Sequence, residues 1–166
     1  VIGLEMASGC RAFGSRVTIS EFMKECLPTR DQELARRLRK SMEKQGIVFN
    51  LGCGLQQVDG DKVTYQNVKK GTSETIEADC ILVATGRQAN VEGLGLENTS
   101  IEVGRRGIEV DDNMQTTVPH IYAIGDVNGR QMLAHAATFQ GFHAINHILG
   151  KTDNIRLNIM PAAVFT

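Results

Sequence analysis

Cys80-Ile-Leu-Val-Ala84 is apolar at every position. A strand open to solvent on one side alternates with polar residues, so an unbroken run predicts a strand covered on both faces, as in a parallel sheet flanked by helices. It ends at Thr85-Gly86-Arg87, a chain reversal. A second such run, Ile121-Tyr-Ala-Ile124, stops at Gly125-Asp126 and precedes a helical pattern from about Met132 to Leu149, with Gly150 placed to cap it. Strand, loop and helix in that order build nucleotide-binding α/β sheets, so the predicted fold is α/β and Rossmann-like, of the FAD/NAD(P)-binding type.

The remaining segments add a smaller sheet. Leu4, Ala7 and Ala12 predict a helix over residues 3 to 13, Gly14 a left-handed stop, and Arg16 to Ser20 a short strand. From Asp31, Leu34, Leu38 and Met42 recur at i, i+4 and i+8, predicting a helix to Gly46 with one apolar stripe. Arg36, Arg37, Arg39 and Lys40 form its solvated face. Val48-Phe49, Leu55 to Val58, Val63 to Val68 and Thr75-Ile76 are separated by Gly52, Gly54, Gly60-Asp61 and Lys70-Gly71, a spacing that predicts a small antiparallel β-meander. Residues 88 to 118 read as loop, with a short strand around Ile108 and Val110.

Several function classes are argued against by charge and spacing. Eighteen basic and nineteen acidic residues leave a net charge of −1, and only residues 1–50 lean basic, nine against six. No basic face dominates, so a nucleic-acid partner is not expected. No apolar run nears the roughly 20 residues of a spanning helix, so no membrane partner is expected either. Cys10, Cys26, Cys53 and Cys80 lie at least sixteen positions apart, which forms no CxxC pair and predicts reduced, mostly buried thiols of a cytoplasmic protein. His143 and His147 have a metal-sharing spacing, but no neighbouring Asp, Glu or Cys completes a ligand set, so no metal is expected.

Three features carry binding chemistry. A G-x-G-x-x-G turn puts its last glycine where the following helix packs closely on its strand, and an acid about 20 residues later takes a ribose hydroxyl. Gly3 stands as that glycine and Glu21, eighteen residues on, as the acid; a generic helix followed by a surface glutamate is the alternative. Glu21 would also repel the 2′-phosphate of NADP and favour NAD. Asp126 ends a buried run and could accept hydrogen bonds from sugar or ribityl hydroxyls, or be an ordinary turn aspartate. The helix near Met132 offers free amides and a positive dipole end to an anion or a reduced ring, although its apolar content equally suits core packing.

Read together, Val1-Ile-Gly-Leu-Glu5, Ala84-Thr-Gly-Arg87, Pro119-His-Ile-Tyr-Ala-Ile-Gly-Asp126, Met132-Leu-Ala-His135 and Met160-Pro-Ala-Ala-Val-Phe-Thr166 resemble, in order and spacing, the flavoprotein (pyridine nucleotide) disulfide oxidoreductases. Met132-Leu-Ala-His135 and Glu21 point within them to the dihydrolipoamide dehydrogenase branch. The resemblance implies a homodimeric, NAD-dependent flavoenzyme with FAD, which oxidises dihydrolipoamide on a 2-oxoacid dehydrogenase complex through a redox-active cysteine pair. It implies an NAD-binding domain over 1–87, a returning segment of the FAD-binding domain over 88–157, and the start of a dimerisation domain over 158–166. Val1, Ile2 and Gly3 would belong to the NAD loop, Glu5 would approach the nicotinamide, Glu21 would hold the adenine ribose, and Val58 and Gly86 would line the NAD site. Asp126 would bind the ribityl chain of FAD, and Met132, Leu133, Ala134 and His135 would set a helix N-terminus against the flavin.

Departures accompany the match. The cysteine pair, the first FAD-binding half and the C-terminal His-Glu pair of the family are absent from these residues, and Ala136 stands where relatives often carry lysine. The chain, which begins Val-Ile-Gly, is therefore expected to be an internal, truncated and by itself inactive fragment. Mercuric or glutathione reductase, and a non-catalytic nucleotide-binding or interaction module, are the alternatives.

Overall fold

β1 (Thr18–Glu21) lies parallel to β2 (Val48–Leu51), with Thr18 opposite Val48 and Glu21 opposite Leu51, in a computed structural model that describes residues 1–28 and 30–166. A parallel pair needs a crossover, and α2 (Gln32–Lys44) supplies it. The Asp31 carboxylate caps this helix by accepting the Glu33 and Leu34 amides at 2.9 and 3.0 Å. Gly46, at φ +91°, lies just beyond the helix. The inward stripe is Ala35 and Met42, both buried, with Leu38 partly buried, while Leu34 is 66% exposed, a rotation of the predicted stripe by one residue at its start. Ala35, fully buried, brings its carbonyl to 3.6 Å from the Cys26 thiol, an approach that a small residue allows.

The core of this region joins α1 (Ile2–Ala12), through Leu4 and Ala7, to Cys26, Met42 and Ile47. Val48-Phe49, expected in the antiparallel set, is instead part of the parallel pair. The meander is β3 (Cys53–Asp59), β4 (Lys62–Asn67) and β5 (Ser73–Glu77). Gly60-Asp61 makes the two-residue turn between Asp59 and Lys62, with Gly60 at φ +59°.

The two apolar runs are not strands. Cys80–Ala84 belongs to neither sheet, and Leu82 and Val83 are 58% and 66% exposed. Ile121–Ile124 has one isolated bridge, Gln115 with Tyr122, and only Ala123 of the run is buried. An apolar run states what a strand would bury; the ladder also needs neighbouring strands, and among the described residues the parallel sheet stops at two.

Contacts divide the chain into one unit of Val1–Thr85 with Val164–Thr166, which holds every element above except the Ile121–Ile124 run, and another of Gly86–Ala163. In the second, an isolated bridge between Val103 and Ile108 replaces the short strand expected there. A 3-10 turn spans Gly125–Asn128, α3 runs Ala134–Ile148, and Gly150 follows at φ +64°. Its buried apolar residues are Ile108, Met114, Ala123, Ala136 and Ala144.

Among the described residues no helix is long and apolar enough to cross a membrane. Cys26 and Cys53 are buried but Cys10 and Cys80 are exposed, so two thiols, not most, are sheltered. Burial pushes the Cys26 thiol up to about 11. His143 meets a carboxylate that linear spacing did not reveal, Asp153, at 2.9 Å, and His147 Nδ1 lies 2.9 Å from the Tyr122 hydroxyl. No group of three metal-ligating side chains occurs among the described residues.

Candidate nucleotide-binding sites

Glu21 ends β1, at the carboxyl end of the parallel pair, where such sheets receive ligands. Its Oε1 accepts the Met23 amide at 2.8 Å, while Oε2 accepts from none of the described residues. The Met23 carbonyl in turn accepts the Gly52 amide at 3.0 Å, and the Ser20 hydroxyl donates to the Cys53 carbonyl at 3.4 Å. A Cβ on Gly54 would stand 3.4 Å from the Phe22 ring. Cys53 and Gly54 thus meet Ser20 and Phe22, the residues on either side of Glu21. Val58 is further along β3, opposite Val63 beside the Gly60 turn, and 46% exposed.

The segment after Glu21 is tied to α2. The buried Glu25 carboxylate receives Arg39 Nε at 2.8 Å and Nη2 at 3.1 Å, one on each oxygen, and also the Cys26 amide at 3.0 Å. Arg39 donates further to Glu43 at 2.7 Å. The hydrogen-bonded guanidinium holds the Glu25 carboxyl below its ordinary value against the opposing effect of burial. Arg39 is therefore a partly buried connector between Glu25 and Glu43, its side chain 21% exposed, and not part of a solvated basic face.

Val1 is the N-cap position of α1, with Ile2, Gly3 and Glu5 in its first turn; among the described residues no side chain caps the helix, and Val1 and Ile2 are about half exposed. The first-turn amides of a helix suit an anion. Glu5 Oε1 accepts the Phe165 amide at 2.9 Å. A Cβ on Gly3 would lie 3.3 Å from the Ala84 Cβ, so the helix approaches the 80–84 segment as closely as a glycine allows. Gly3→Val should cost about 1–3 kcal/mol through overpacking, read as a lowered urea midpoint at unchanged slope; a loss below about 0.3 kcal/mol would remove the close-packing role.

In the Gly86–Ala163 unit, Gly86 has φ +118° with open space around it, so backbone conformation, not crowding, requires glycine there. Asp126 is exposed within the 3-10 turn, which is braced from beneath. Gln140 Oε1, on α3, accepts the Gly125 amide at 2.7 Å and the Asn128 side chain at 2.9 Å, and Asn128 also donates to the Ala123 carbonyl. Gln140 and Asn128 were missed by the sequence reading, since nothing in their spacing marks them. Met132 and Leu133 are half-buried just before α3, Ala134 and His135 at its start are exposed, and among the described residues no side chain caps the helix. His135 Nε2 lies 2.8 Å from the Pro161 carbonyl, the geometry of a donated ring proton. Cavities of about 340 Å³ beside Arg105 and Arg106, and about 220 Å³ beside Tyr65 and Glu74, are lined by none of the predicted residues. The predicted residues sit at a sheet edge, helix ends and a turn.

Comparison with known proteins gives concordant matches. Residues 1–141 match the family described as pyridine nucleotide-disulphide oxidoreductase. The chain is 38% identical to dihydrolipoyl dehydrogenase 3 of Pseudomonas putida over 100% of its own length and 36% of that protein. It is 42% identical to the dihydrolipoyl dehydrogenase of Acholeplasma laidlawii over 95% of its length and 46% of that protein. Among solved structures, LpdA of Mycobacterium tuberculosis matches 99% of the chain at 32% identity and a TM-score of 0.86, over 36% of that structure. RclA of Escherichia coli, a flavoprotein disulfide reductase, matches 90% at 29% identity and a TM-score of 0.77. The chain thus spans between a third and a half of the length of these relatives.

Proposed function

The chain belongs to the pyridine nucleotide-disulphide oxidoreductase family, and from that premise we propose that it forms the nucleotide-binding part of an NAD-dependent dihydrolipoyl dehydrogenase. Residues 1–87 would be NAD-binding, 88–157 a returning FAD-binding segment, and 158–166 the start of a dimerisation domain. The full-length enzyme would be a cytoplasmic homodimer acting on lipoamide of a 2-oxoacid dehydrogenase complex. The observation that carries this is Glu21: a strand-end carboxylate with one oxygen held by a backbone amide and the other without a donor among the described residues. That arrangement suits a ribose diol and opposes a 2′-phosphate.

The residues present fit both cofactors. A glycine at the close approach of α1 to Ala84 suits a dinucleotide pyrophosphate; Val1, Ile2 and Gly3 would belong to the NAD loop, Glu5 would approach the nicotinamide, and Val58 and Gly86 would contact NAD. Asp126 would accept a ribityl hydroxyl, and the uncapped start of α3, Met132 to His135, would favour negative charge on a reduced ring. When bound, FAD supplies the two-electron relay between a dithiol and NAD. The nearest cysteines here are sixteen positions apart, so these 166 residues would bind without turning over.

The full-length protein should reduce NAD with dihydrolipoamide and prefer NAD to NADP by at least about a hundredfold, on the roughly 3 kcal/mol that separates a well-held diol from a repelled phosphate. A flavin-loaded protein without that turnover would exclude dihydrolipoyl dehydrogenase and leave another disulfide reductase, such as a mercuric or glutathione reductase.

A further inference from the structure

Glu25 is 8% exposed, and a carboxylate so far from water persists only when paired and fully hydrogen-bonded. Arg39 meets it with two parallel N–H···O bonds, the geometry that gives such pairs direction as well as strength. Glu25 stands four residues after Glu21, and the intervening backbone is tethered twice more. The Met23 amide donates to Glu21 Oε1, and the Met23 carbonyl accepts from Gly52. Beyond Glu25, the Cys26 thiol bonds to the Ala35 carbonyl, and Leu27 holds φ +54°, a conformation a leucine keeps only where its surroundings impose it. Arg39 has carboxylates at Glu25 and Glu43, so its charge is matched within the protein and is not free to attract a phosphate.

We propose that Glu25 and Arg39 are positioning residues for the dinucleotide: their ion pair fixes the Phe22–Leu27 segment so that the Met23 amide keeps the Glu21 carboxylate turned to accept the ribose diol. The inference rests on the assignment of Glu21 to the adenine ribose. It makes the strength of diol recognition depend on a contact in α2 that acts through Glu21.

The test is a direct binding measurement on the full-length flavoprotein, with NADH and its 2′-deoxyadenosine analogue as titrants, in wild type, Arg39→Met, Arg39→Lys and Glu21→Gln. The ratio of the two dissociation constants reports how well the diol is held, independently of lipoamide turnover. In Arg39→Met this ratio should fall at least threefold toward unity. In Arg39→Lys, where one prong of the fork remains, it should fall by about half as much on a logarithmic scale. A ratio unchanged in both variants, even with weaker overall binding or a lower melting temperature, overturns the proposal, because general loosening weakens both titrants alike. Should Arg39→Met not fold, Arg39→Lys decides by the same criterion. A wild-type ratio near unity, or one that Glu21→Gln leaves intact, overturns the ribose assignment itself and the inference with it, and is told apart by that control.

Discussion

Replacing Glu21, the proposed ribose acceptor, with arginine in the full-length protein should invert the proposed choice of NAD over NADP, moving the ratio of kcat/KM for the two carriers by about a thousandfold. In that role the carboxylate would accept hydroxyl protons, and a charge-assisted hydrogen bond of this kind contributes about 1.5–3 kcal/mol net. Arginine removes that acceptor and places a planar, permanently charged donor fork where a 2′-phosphate would sit, a gain of similar size for the competing ligand. Together the two changes come to about 4 kcal/mol, or three powers of ten. Glu21→Gln separates the contributions. Its amide oxygen still accepts the Met23 amide, so the strand end keeps its shape, yet the charge is gone; NAD should weaken about tenfold with little gain for NADP. Steady-state kinetics with both carriers provide the measurement, and a selectivity ratio within threefold of wild type in Glu21→Arg would sink the role.

What the sequence made legible was set by residues close together in the chain. Asp31 caps α2 because its carboxylate reaches amides two and three positions on, and Gly60-Asp61 turns β3 into β4 because glycine adopts the positive φ that such a turn needs. Glu21 was placed at a strand end because both the preceding strand pattern and the offset from Gly3 were local. Cys80–Ala84 and Ile121–Ile124 misled for the opposite reason. Their composition describes an environment covered on both faces, but a strand exists only with neighbours to complete its ladder, and Val83 and Ile124 are 66% and 43% exposed. Leu34 misled more mildly: an i, i+4, i+8 series fixes the face of a helix to within one residue, and the tight approach of Ala35 to Cys26 settled the rotation. The Glu25–Arg39 and His143–Asp153 pairs were illegible because each joins an acid and a base ten or more residues apart whose meeting depends on the path of an irregular segment.

The same illegibility covers Gln140, and its removal should cost more stability than Gly3→Val. It is 3% exposed on α3, and its side-chain oxygen is a common acceptor for the Gly125 amide and the Asn128 side chain. Gln140→Leu keeps the volume roughly constant and the site apolar, so the expected cost is that of two buried donors left without a partner, each about 1–3 kcal/mol. Asn128 retains its bond to the Ala123 carbonyl, which limits the total to about 2–5 kcal/mol. Gly125 is itself buried, at φ +73°. Asp126 follows directly, so the turn that presents its carboxylate loosens with the loss of that amide contact. Urea unfolding of the full-length variant should show the drop in stability, and flavin per chain should fall with it, since a mispositioned Asp126 would no longer serve its proposed role of meeting the ribityl hydroxyl. Asn128→Ala should reproduce a smaller part of both effects, because Gln140 then still accepts the Gly125 amide. A Gln140→Leu protein within 0.5 kcal/mol of wild type, with full flavin content, would show that the turn holds its shape without the brace.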